Sequence, residues 1–139
     1  MNRFYHSKNI NINEIIIMDD FAAHHALKVL RLKKSDELIL FNGDGHDFQG
    51  QIINIAKKRV EVMINSRRIV DNESDLKVTI LQTLTSNEKM DFIIQKTTEL
   101  GISKIQPIVC ERGIVKIKND KVEKRLLHWQ QVSISACEQ

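Results

Sequence analysis

The sequence predicts a fold of the α+β and α/β classes, in which a small β-barrel precedes a parallel strand-helix-strand unit. Residues 1–72 contain short apolar segments separated by tight polar turns, with one short helical pattern among them. After the polar segment 70–75 the pattern changes to a strand, an amphipathic helix and another strand. This change of period predicts two domains, residues 1–72 and residues 73–139.

The helix predicted over residues 86–101 is the central element of the second domain. Its apolar side recurs with the 3.6-residue period of a helix and consists of Met90, Ile93, Ile94, Thr97 and Leu100. Ser86 is expected to cap the first turn through its hydroxyl group. Gly101 is expected to end the helix, because glycine readily adopts the left-handed conformation needed there.

Two apolar, β-rich segments flank this helix, Leu76–Leu84 before it and Ile102–Cys110 after it. Both are too apolar for strands with one face in water, which is typical of parallel strands covered on both faces. The short connection favours a right-handed crossover, so the two strands are expected to be parallel neighbours.

The first domain begins with two short predicted strands, Arg3–His6 and Glu14–Met18, separated by an Asn-rich turn. A brief helix follows, for which Asp20 is the expected N-cap. Its partial apolar side consists of Phe21, Leu27 and Leu30.

Two successive hairpins complete the first domain. The predicted strands are Glu37–Phe41, Asp47–Ile55 and Arg59–Ile64, joined by the turns 42–45 and 57–58. The first turn contains Asn-Gly, which accepts the positive φ angles of a tight hairpin. Short strands in this number predict a small closed barrel, which leaves no exposed sheet edge.

The chain ends in a second amphipathic helix, reached through residues 114–118. Asp120 is the expected N-cap, with Glu123 as its capping-box partner. The predicted buried stripe is Val122, Leu126, Trp129, Val132 and Ala136. No Gly, Pro or turn cluster ends the pattern before Gln139, and two parallel strands leave open edges, so further chain or a partner is expected to complete this domain.

Composition places the protein in the ordinary globular class, at 42% hydrophobic and 28% charged residues. The N-terminus lacks a signal-peptide layout and no apolar run approaches a membrane span, so a cytoplasmic location without a membrane partner is expected.

Cys110 and Cys137 are isolated and are expected to be reduced thiols. His24 and His25 lack a third ligand at zinc spacing, so no metal site is expected.

The formal net charge of +3 does not by itself indicate a nucleic-acid partner. Local clusters are more informative, because phosphate binding needs a basic patch rather than a high total charge. Each cluster has the alternative interpretation of a solvated turn. The clusters lie at residues 28–34, 57–59 and 67–68.

An ordered series of short motifs resembles the N-terminal part of the RsmE family of SPOUT methyltransferases. In the first domain these are Arg3-Phe4-Tyr5, His25-x-x-x-Val29-Leu30-Arg31 and Leu40-Phe41-Asn42-Gly43. In the second they are Lys89-Met90-Asp91, Gln95-Lys96, Glu99-Leu100-Gly101, Pro107, Glu111-Arg112, Trp129 and Ala136-Cys137-Glu138-Gln139. The resemblance implies a PUA-like RNA-binding barrel followed by part of a SPOUT-type domain.

That family methylates N3 of a uridine in small-subunit ribosomal RNA, with S-adenosyl-L-methionine as the methyl donor. Its members continue for roughly another hundred residues, a length in keeping with a full domain. The continuation contains the trefoil knot and the cofactor-binding segments. The resemblance therefore implies a chain that lacks the C-terminal knot, a cofactor site after Gln139, and no methyltransferase activity in these 139 residues alone. It also implies the 30S subunit as partner and a homodimer for the full-length protein.

The loops after the two parallel strands are where such sheets place ligands. The plausible contributors there are Lys89, Gln95, Glu99, Glu111 and Arg112. Arg112 is expected at the active-site rim or on RNA, oriented by Glu111; the alternative is that Arg112 only pairs with Glu111 or Glu99 in a structural network. Gln95 and Glu99 have the alternative of plain helix-surface residues. The predicted RNA-binding residues are Arg3, His25, Lys28, Arg31, Lys33 and Lys89.

Two other functions remain open. The same barrel could serve a non-catalytic RNA-binding module, which affinity for the methyl donor would distinguish from the enzyme. A nucleotide-binding regulatory domain has little support, because neither G-x-G-x-x-G nor a P-loop motif is present.

Overall fold

The computed structural model describes residues 1–57, 59–70, 74–113, 115 and 119–139. It divides into two compact units. The first unit is Met1–Asp71 with Glu138, and the second is Asn72–Cys137 with Gln139. The domain boundary proposed after residue 72 stays a prediction.

A five-stranded mixed sheet forms the first unit, in the order β1-β3-β4-β5-β2. The pairing of β1 with β3 is parallel and the other pairings are antiparallel. Lys58 of the predicted second turn lies outside the described residues, while Lys57 beside it has a φ of 58°. The strands are β1 Arg3–Tyr5, β2 Ile15–Ile17, β3 Glu37–Phe41, β4 His46–Ala56 and β5 Arg59–Ile69.

The expected closed barrel is corrected to a bent sheet. Among the described residues no ladder joins β1 to β2, which lie at the two ends of the strand order. Both end strands have three residues, so they offer few backbone groups for closing the sheet. The register of β4 against β5 shifts at two places: Asn65 of β5 is extra opposite Gln49 and Gly50, and Ile53 of β4 is extra between Ile52 and Asn54. Gly50 allows β5 to approach closely, because a Cβ there would lie 2.5 Å from Val62 Cγ1.

The core of the first unit lies on one face of this sheet. The short helix α1, Asp20–His24, covers it with alanines rather than with the predicted Phe21 and Leu30, which are exposed. Only small side chains fit where a helix lies close to a sheet. The N-cap is Asp19 and not Asp20, since Asp19 Oδ1 accepts the Ala22 N–H at 2.9 Å. The buried side chains include Phe4, Leu38, Leu40, Phe48, Ile52, Val60, Val62, Ile64, Ala22, Ala23 and Ala26.

The second unit contains the predicted parallel strand-helix-strand motif. Its elements are β6 Thr79–Thr83, α2 Asn87–Glu99 and β7 Lys104–Ile108, with β6 and β7 parallel neighbours. Gly101 has a φ of 80° and its N–H donates to Thr98 O, while the Ile102 N–H donates to Thr97 O. These two bonds form a Schellman motif, which confirms the predicted end of the helix. Ser86 occupies the N-cap position, but its side chain makes no capping hydrogen bond.

The last helix, α3, runs from Val122 to Cys137 and follows a 3₁₀ turn at Asn119–Lys121. Asp120 lies inside that turn and is not the N-cap of α3. The predicted crossing segment, apart from Val115, lies outside the described residues. Trp129 is buried, as predicted, and forms a small core with Leu84, Met90 and Ile94. Leu100, Val122 and Leu126, which were expected in the buried stripes, are exposed.

Candidate RNA-binding surface and strand-end loops

A π-helical turn at His25–Val29 follows α1 and shapes the surface of the first unit. The Leu30 N–H donates to His25 O at 3.0 Å, five residues back, and the Leu32 N–H donates to Ala26 O at 2.9 Å. Arg31, between them, has a φ of 56°. This left-handed conformation costs roughly 1–2 kcal/mol for a residue with a Cβ. Single π turns are rare and are frequent at functional sites, so this exit loop is a candidate site.

The side chains of Lys28, Arg31 and Lys33 are exposed around this loop, and we call these three residues the basic edge. Among the described residues none of the three forms a salt bridge. The Lys33 N–H donates to Asp36 Oδ2 at 2.8 Å, which fixes the backbone at that end. The basic edge therefore offers unneutralised charge on an ordered loop, which suits a phosphate backbone.

His25 is held by packing beside this edge. Its ring meets the Phe4 ring edge-on at 5.9 Å between centroids, and Nδ1 lies 3.9 Å from Glu138 Oε2. Glu138 Oε1 also accepts the Tyr5 N–H at 3.0 Å. Burial raises the pKa of Glu138, and the Tyr5 N–H and the nearby His25 partly oppose that rise. The His25 ring thus already contacts Phe4 and lies near Glu138 within its unit, and its contact with RNA stays a prediction.

Arg3 forms an ion pair with the buried carboxylate of Asp47. Its Nη1 and Nη2 lie 3.0 Å from Asp47 Oδ2 and Oδ1, and the guanidinium stands over the Phe41 ring at 4.9 Å. Arg68 Nη2 reaches the same carboxylate at 3.2 Å. Asp47 is only 4% exposed. Asp47 was not among the residues predicted from the sequence, although a carboxylate among the apolar residues of a strand indicates a buried pair. Arg3 therefore has a structural partner, and its role in RNA binding stays a prediction.

The carboxyl ends of β6 and β7 lie together in the second unit. The Leu84 N–H donates to Ile108 O at 3.1 Å, and Thr83 Oγ1 lies 3.4 Å from Cys110 Sγ. A turn follows in which the Gly113 N–H donates to Cys110 O at 2.9 Å. Glu111 and Arg112 are the exposed central residues of this turn.

The structure brings only some of the predicted strand-end residues into contact with other groups. Glu99 pairs with Lys96 at 2.8 Å on the surface of α2, which favours the helix-surface interpretation of Glu99. Lys89 is exposed in the first turn of α2, and Gln95 is half-buried on the same helix. Within the described part of the chain, Arg112 forms no ion pair with Glu111 or Glu99.

The described residues contain no group of three or more His, Cys, Asp or Glu side chains that could hold a metal ion. They also contain no helix with the length and apolar character that crossing a bilayer requires.

Family models match both units. The model described as an RNA methyltransferase PUA domain matches residues 19–65, and the RNA methyltransferase domain model matches residues 72–139. The two matches together cover most of the chain. They confirm the PUA-like character of the first unit and the methyltransferase character of the second.

Similar proteins have been named and solved. The ribosomal RNA small subunit methyltransferase E of Buchnera aphidicola subsp. Schizaphis graminum is 36% identical over 99% of this chain and 56% of that protein. A putative methyltransferase of Legionella pneumophila, solved in complex with the bound cofactor SAM, superposes with a TM-score of 0.94 at 35% identity over 98% of this chain and 56% of that one.

A second solved structure agrees with these. The ribosomal RNA small subunit methyltransferase E of Neisseria gonorrhoeae, bound to S-adenosyl methionine, has a TM-score of 0.89 at 38% identity, over 99% of this chain and 56% of that one. The chain thus spans 56% of the length of each of these relatives. The two units of the chain thus match RNA methyltransferase family models, and the chain resembles the proteins named ribosomal RNA small subunit methyltransferase E.

Proposed function

We propose that this chain supplies the RNA-binding unit and the first part of the catalytic domain of an S-adenosylmethionine-dependent methyltransferase. The proposed reaction is methylation of N3 of a uridine in small-subunit ribosomal RNA, with the 30S subunit as partner and a homodimer as the assembled enzyme. The observation that carries the proposal is the basic edge, Lys28, Arg31 and Lys33, on the PUA-like unit of a chain whose other unit matches a methyltransferase domain.

The basic edge supports an RNA substrate on physical grounds. Its cations lie on a loop whose conformation is fixed by the π turn and by the strained backbone of Arg31. Charges on an ordered loop lose little backbone freedom on binding, so more of their interaction energy appears as affinity. They contact phosphates rather than base edges, so they position RNA without reading its sequence.

Transfer of a methyl group to uracil N3 requires removal of the N3 proton and an in-line approach of the donor methyl group. Glu111 and Arg112 lie on the turn that follows the carboxyl end of β7, at the edge where a parallel sheet places its ligand. We assign Arg112 to RNA or to the rim of the active site, and Glu111 to orienting Arg112. Both are exposed on a turn, which suits contact with a large substrate.

We place the S-adenosylmethionine site in residues that follow Gln139, as the family resemblance implies, and expect this chain alone to be inactive. A buried cofactor site contains convergent polar groups that await a partner. Among the described residues, the buried side-chain atoms without a hydrogen-bond partner belong to Arg3, Asp47 and Arg125. Arg3 and Asp47 lie in the first unit and pair with each other, and Arg125 lines a basic cavity beside the start of α2.

A pair of calorimetric titrations tests this proposal. S-adenosylmethionine is titrated into the 139-residue chain and into the same chain extended by its downstream codons, with methylation of 30S subunits as a second readout. We expect binding and N3-methyluridine formation only with the extended protein. Specific binding by the short chain would contradict the assigned cofactor position.

The basic edge also allows a test of the RNA role. Lys28→Gln and Lys33→Gln should each weaken RNA binding about tenfold at low salt, because each removes one phosphate contact. Lys8→Gln, at an exposed lysine of the same unit, is the control because it removes the same charge. RNA binding without any cofactor affinity in the extended protein would favour the alternative, a non-catalytic RNA-binding module.

A further inference from the structure

A cavity of about 410 Å³ in the second unit is surrounded by basic side chains. It lies beside the start of α2 and the first two turns of α3. We propose that this cavity binds a phosphate group of the RNA strand, at a position separate from the basic edge. The inference rests on the proposed function and names a second contact of the same substrate. The lining residues are Asn87, Lys121, Lys124, Arg125, His128 and Trp129.

The spacing of the basic residues concentrates their charge on one side of α3. Lys121, Lys124, Arg125 and His128 follow one another at i, i+3, i+4 and i+7, which places them on a single helical face. Like charges at these spacings destabilise a helix by a few tenths of a kcal/mol per pair. An anion bound in the cavity would be attracted by each of these side chains and would offset their mutual repulsion.

Arg125 provides the observation that points to a ligand. Its Nη1 atom is buried and has no hydrogen-bond partner among the described residues. A buried donor left without a partner costs about 1–3 kcal/mol, and more when it is charged. Arg125 lines the cavity, so a rotation of its side chain on binding would let the guanidinium donate two parallel hydrogen bonds to a phosphate group.

The only carboxylate that contacts this basic face in the described residues is already engaged. Asp91 of α2 binds His128 Nε2 through both oxygens, at 2.9 Å and 2.8 Å. This pair links α2 to α3 and leaves Lys121, Lys124 and Arg125 without a counter-charge in the described residues. The cavity therefore keeps a positive potential.

The start of α2 contributes a second source of positive potential. Asn87 is the first residue of this helix and lines the cavity. The Ser86 side chain makes no capping bond, so the first-turn N–H groups lack the usual side-chain acceptor. Helix N-termini with free N–H groups bind phosphates, which agrees with the charges supplied by α3.

Trp129 forms an apolar wall of the cavity and is 6% exposed. Its ring is too buried to serve as a stacking surface for a base, so the cavity suits a phosphate group rather than a nucleobase. Trp129 is also the only tryptophan of the chain. Its fluorescence therefore reports on this cavity in the unlabelled protein.

The test follows Trp129 emission while a short single-stranded RNA of mixed sequence is added to the 139-residue chain. Fluorescence anisotropy of the same RNA, carrying a label, gives total binding. We expect a saturable change in Trp129 emission. Lys124→Gln and Arg125→Gln should each weaken binding about tenfold and reduce the salt dependence by about one phosphate contact. Lys77→Gln, at an exposed lysine of the same unit, should leave binding within about twofold.

The outcomes separate this inference from the proposed function. RNA binding that leaves Trp129 emission unchanged, with Lys124→Gln equivalent to Lys77→Gln, overturns the cavity assignment and leaves the proposed function intact. Inorganic phosphate that changes the emission when RNA does not would make the cavity a small-anion site and also overturns the inference. Absence of RNA binding by anisotropy contradicts the proposed function itself. Lys124 is exposed on α3, so its substitution keeps the test valid if Arg125→Gln fails to fold.

Discussion

The two units bury their apolar residues to very different extents. In the first unit, side chains from all five strands and α1 form one continuous buried core. In the second, the buried core described by the structure is Leu84, Met90, Ile94 and Trp129. Large apolar side chains of the second unit remain exposed, among them Leu81, Phe92, Leu100, Val109 and Leu127. Apolar burial is the main stabilising term of a fold, so the first unit should be the more stable of the two.

This difference teaches where each unit obtains its stability and where it holds its candidate sites. The first unit is stabilised by its own core and displays charge on one ordered loop. The second unit combines exposed apolar residues, a basic cavity and strand-end loops.

The largest expected effect separates the two units by their unfolding. Phe48→Ala should lower the free energy of unfolding of the first unit by about 3–5 kcal/mol, because it opens a cavity in a closed core. Phe48 is 1% exposed. In urea titrations, the far-ultraviolet circular dichroism signal of the strands should be lost at a lower urea concentration than in the parent protein. The midpoint of the Trp129 emission transition, which reports on the second unit, should not change. A common shift of both signals would mean that the units unfold together.

Ile69→Ala is the control for that experiment. Ile69 lies on β5 but is 76% exposed, so its truncation should change stability by less than about 0.5 kcal/mol.

The ion pair of the first unit gives the next largest effect. Asp47→Asn should cost about 1.5–3 kcal/mol, because it leaves the half-buried Arg3 without its charged acceptor. Arg68→Gln removes the other cation from the same carboxylate, but Arg68 is 74% exposed, so less than about 1 kcal/mol is expected. Chemical denaturation of the two variants measures both values. Equal losses would show that Arg68 accounts for the whole contribution of this ion pair and that the Arg3 contact adds nothing.

These contacts show how far the sequence predicts the structure. Patterns of local period predicted β3, the turn at residues 42–45, the strand-helix-strand motif and the Schellman end at Gly101, since each depends on neighbouring residues. The pairing of Arg3 with Asp47 joins residues 44 positions apart, which no local pattern reveals. The π turn was missed for a related reason: its extra residue depends on how the helix packs against the sheet.

The candidate sites also divide into features that local sequence patterns reveal and features that only the folded structure reveals. Motif resemblance pointed to the same relatives that the comparisons found, because motifs are local. It did not identify the basic cavity, because the last helix was interpreted only through its apolar stripe. The spacing of Lys121, Lys124, Arg125 and His128 was a usable signal on that helix. The uncapped start of α2 and the unpartnered Arg125 needed the structure.

A smaller effect tests the helix ends of the second unit. Gly101→Ala should cost about 1 kcal/mol, because alanine resists the positive φ of the Schellman motif. Ser86→Ala should cost nearly nothing rather than the usual loss of about 1 kcal/mol, because the Ser86 side chain makes no capping bond. Both are measured from the Trp129 emission transition. A loss of the usual size for Ser86→Ala would show that the hydroxyl does cap α2.

The smallest expected effect concerns the pH dependence of the first unit. Burial lowers the pKa of His6 below its ordinary 6.5, while Asp19 and Glu14 partly oppose this change. In the unfolded chain His6 takes up a proton near its ordinary pKa, whereas in the folded unit it stays neutral to lower pH. The stability is therefore complete above about pH 6.5 and falls as the pH is lowered through the folded pKa.

His6→Gln should flatten this part of the pH profile in urea titrations followed by circular dichroism. The Trp129 transition should show no matching difference between the variant and the parent, because His6 lies in the other unit. A change in the Trp129 profile would show that the two units share their stability, and it would remove the distinction on which the larger predictions depend.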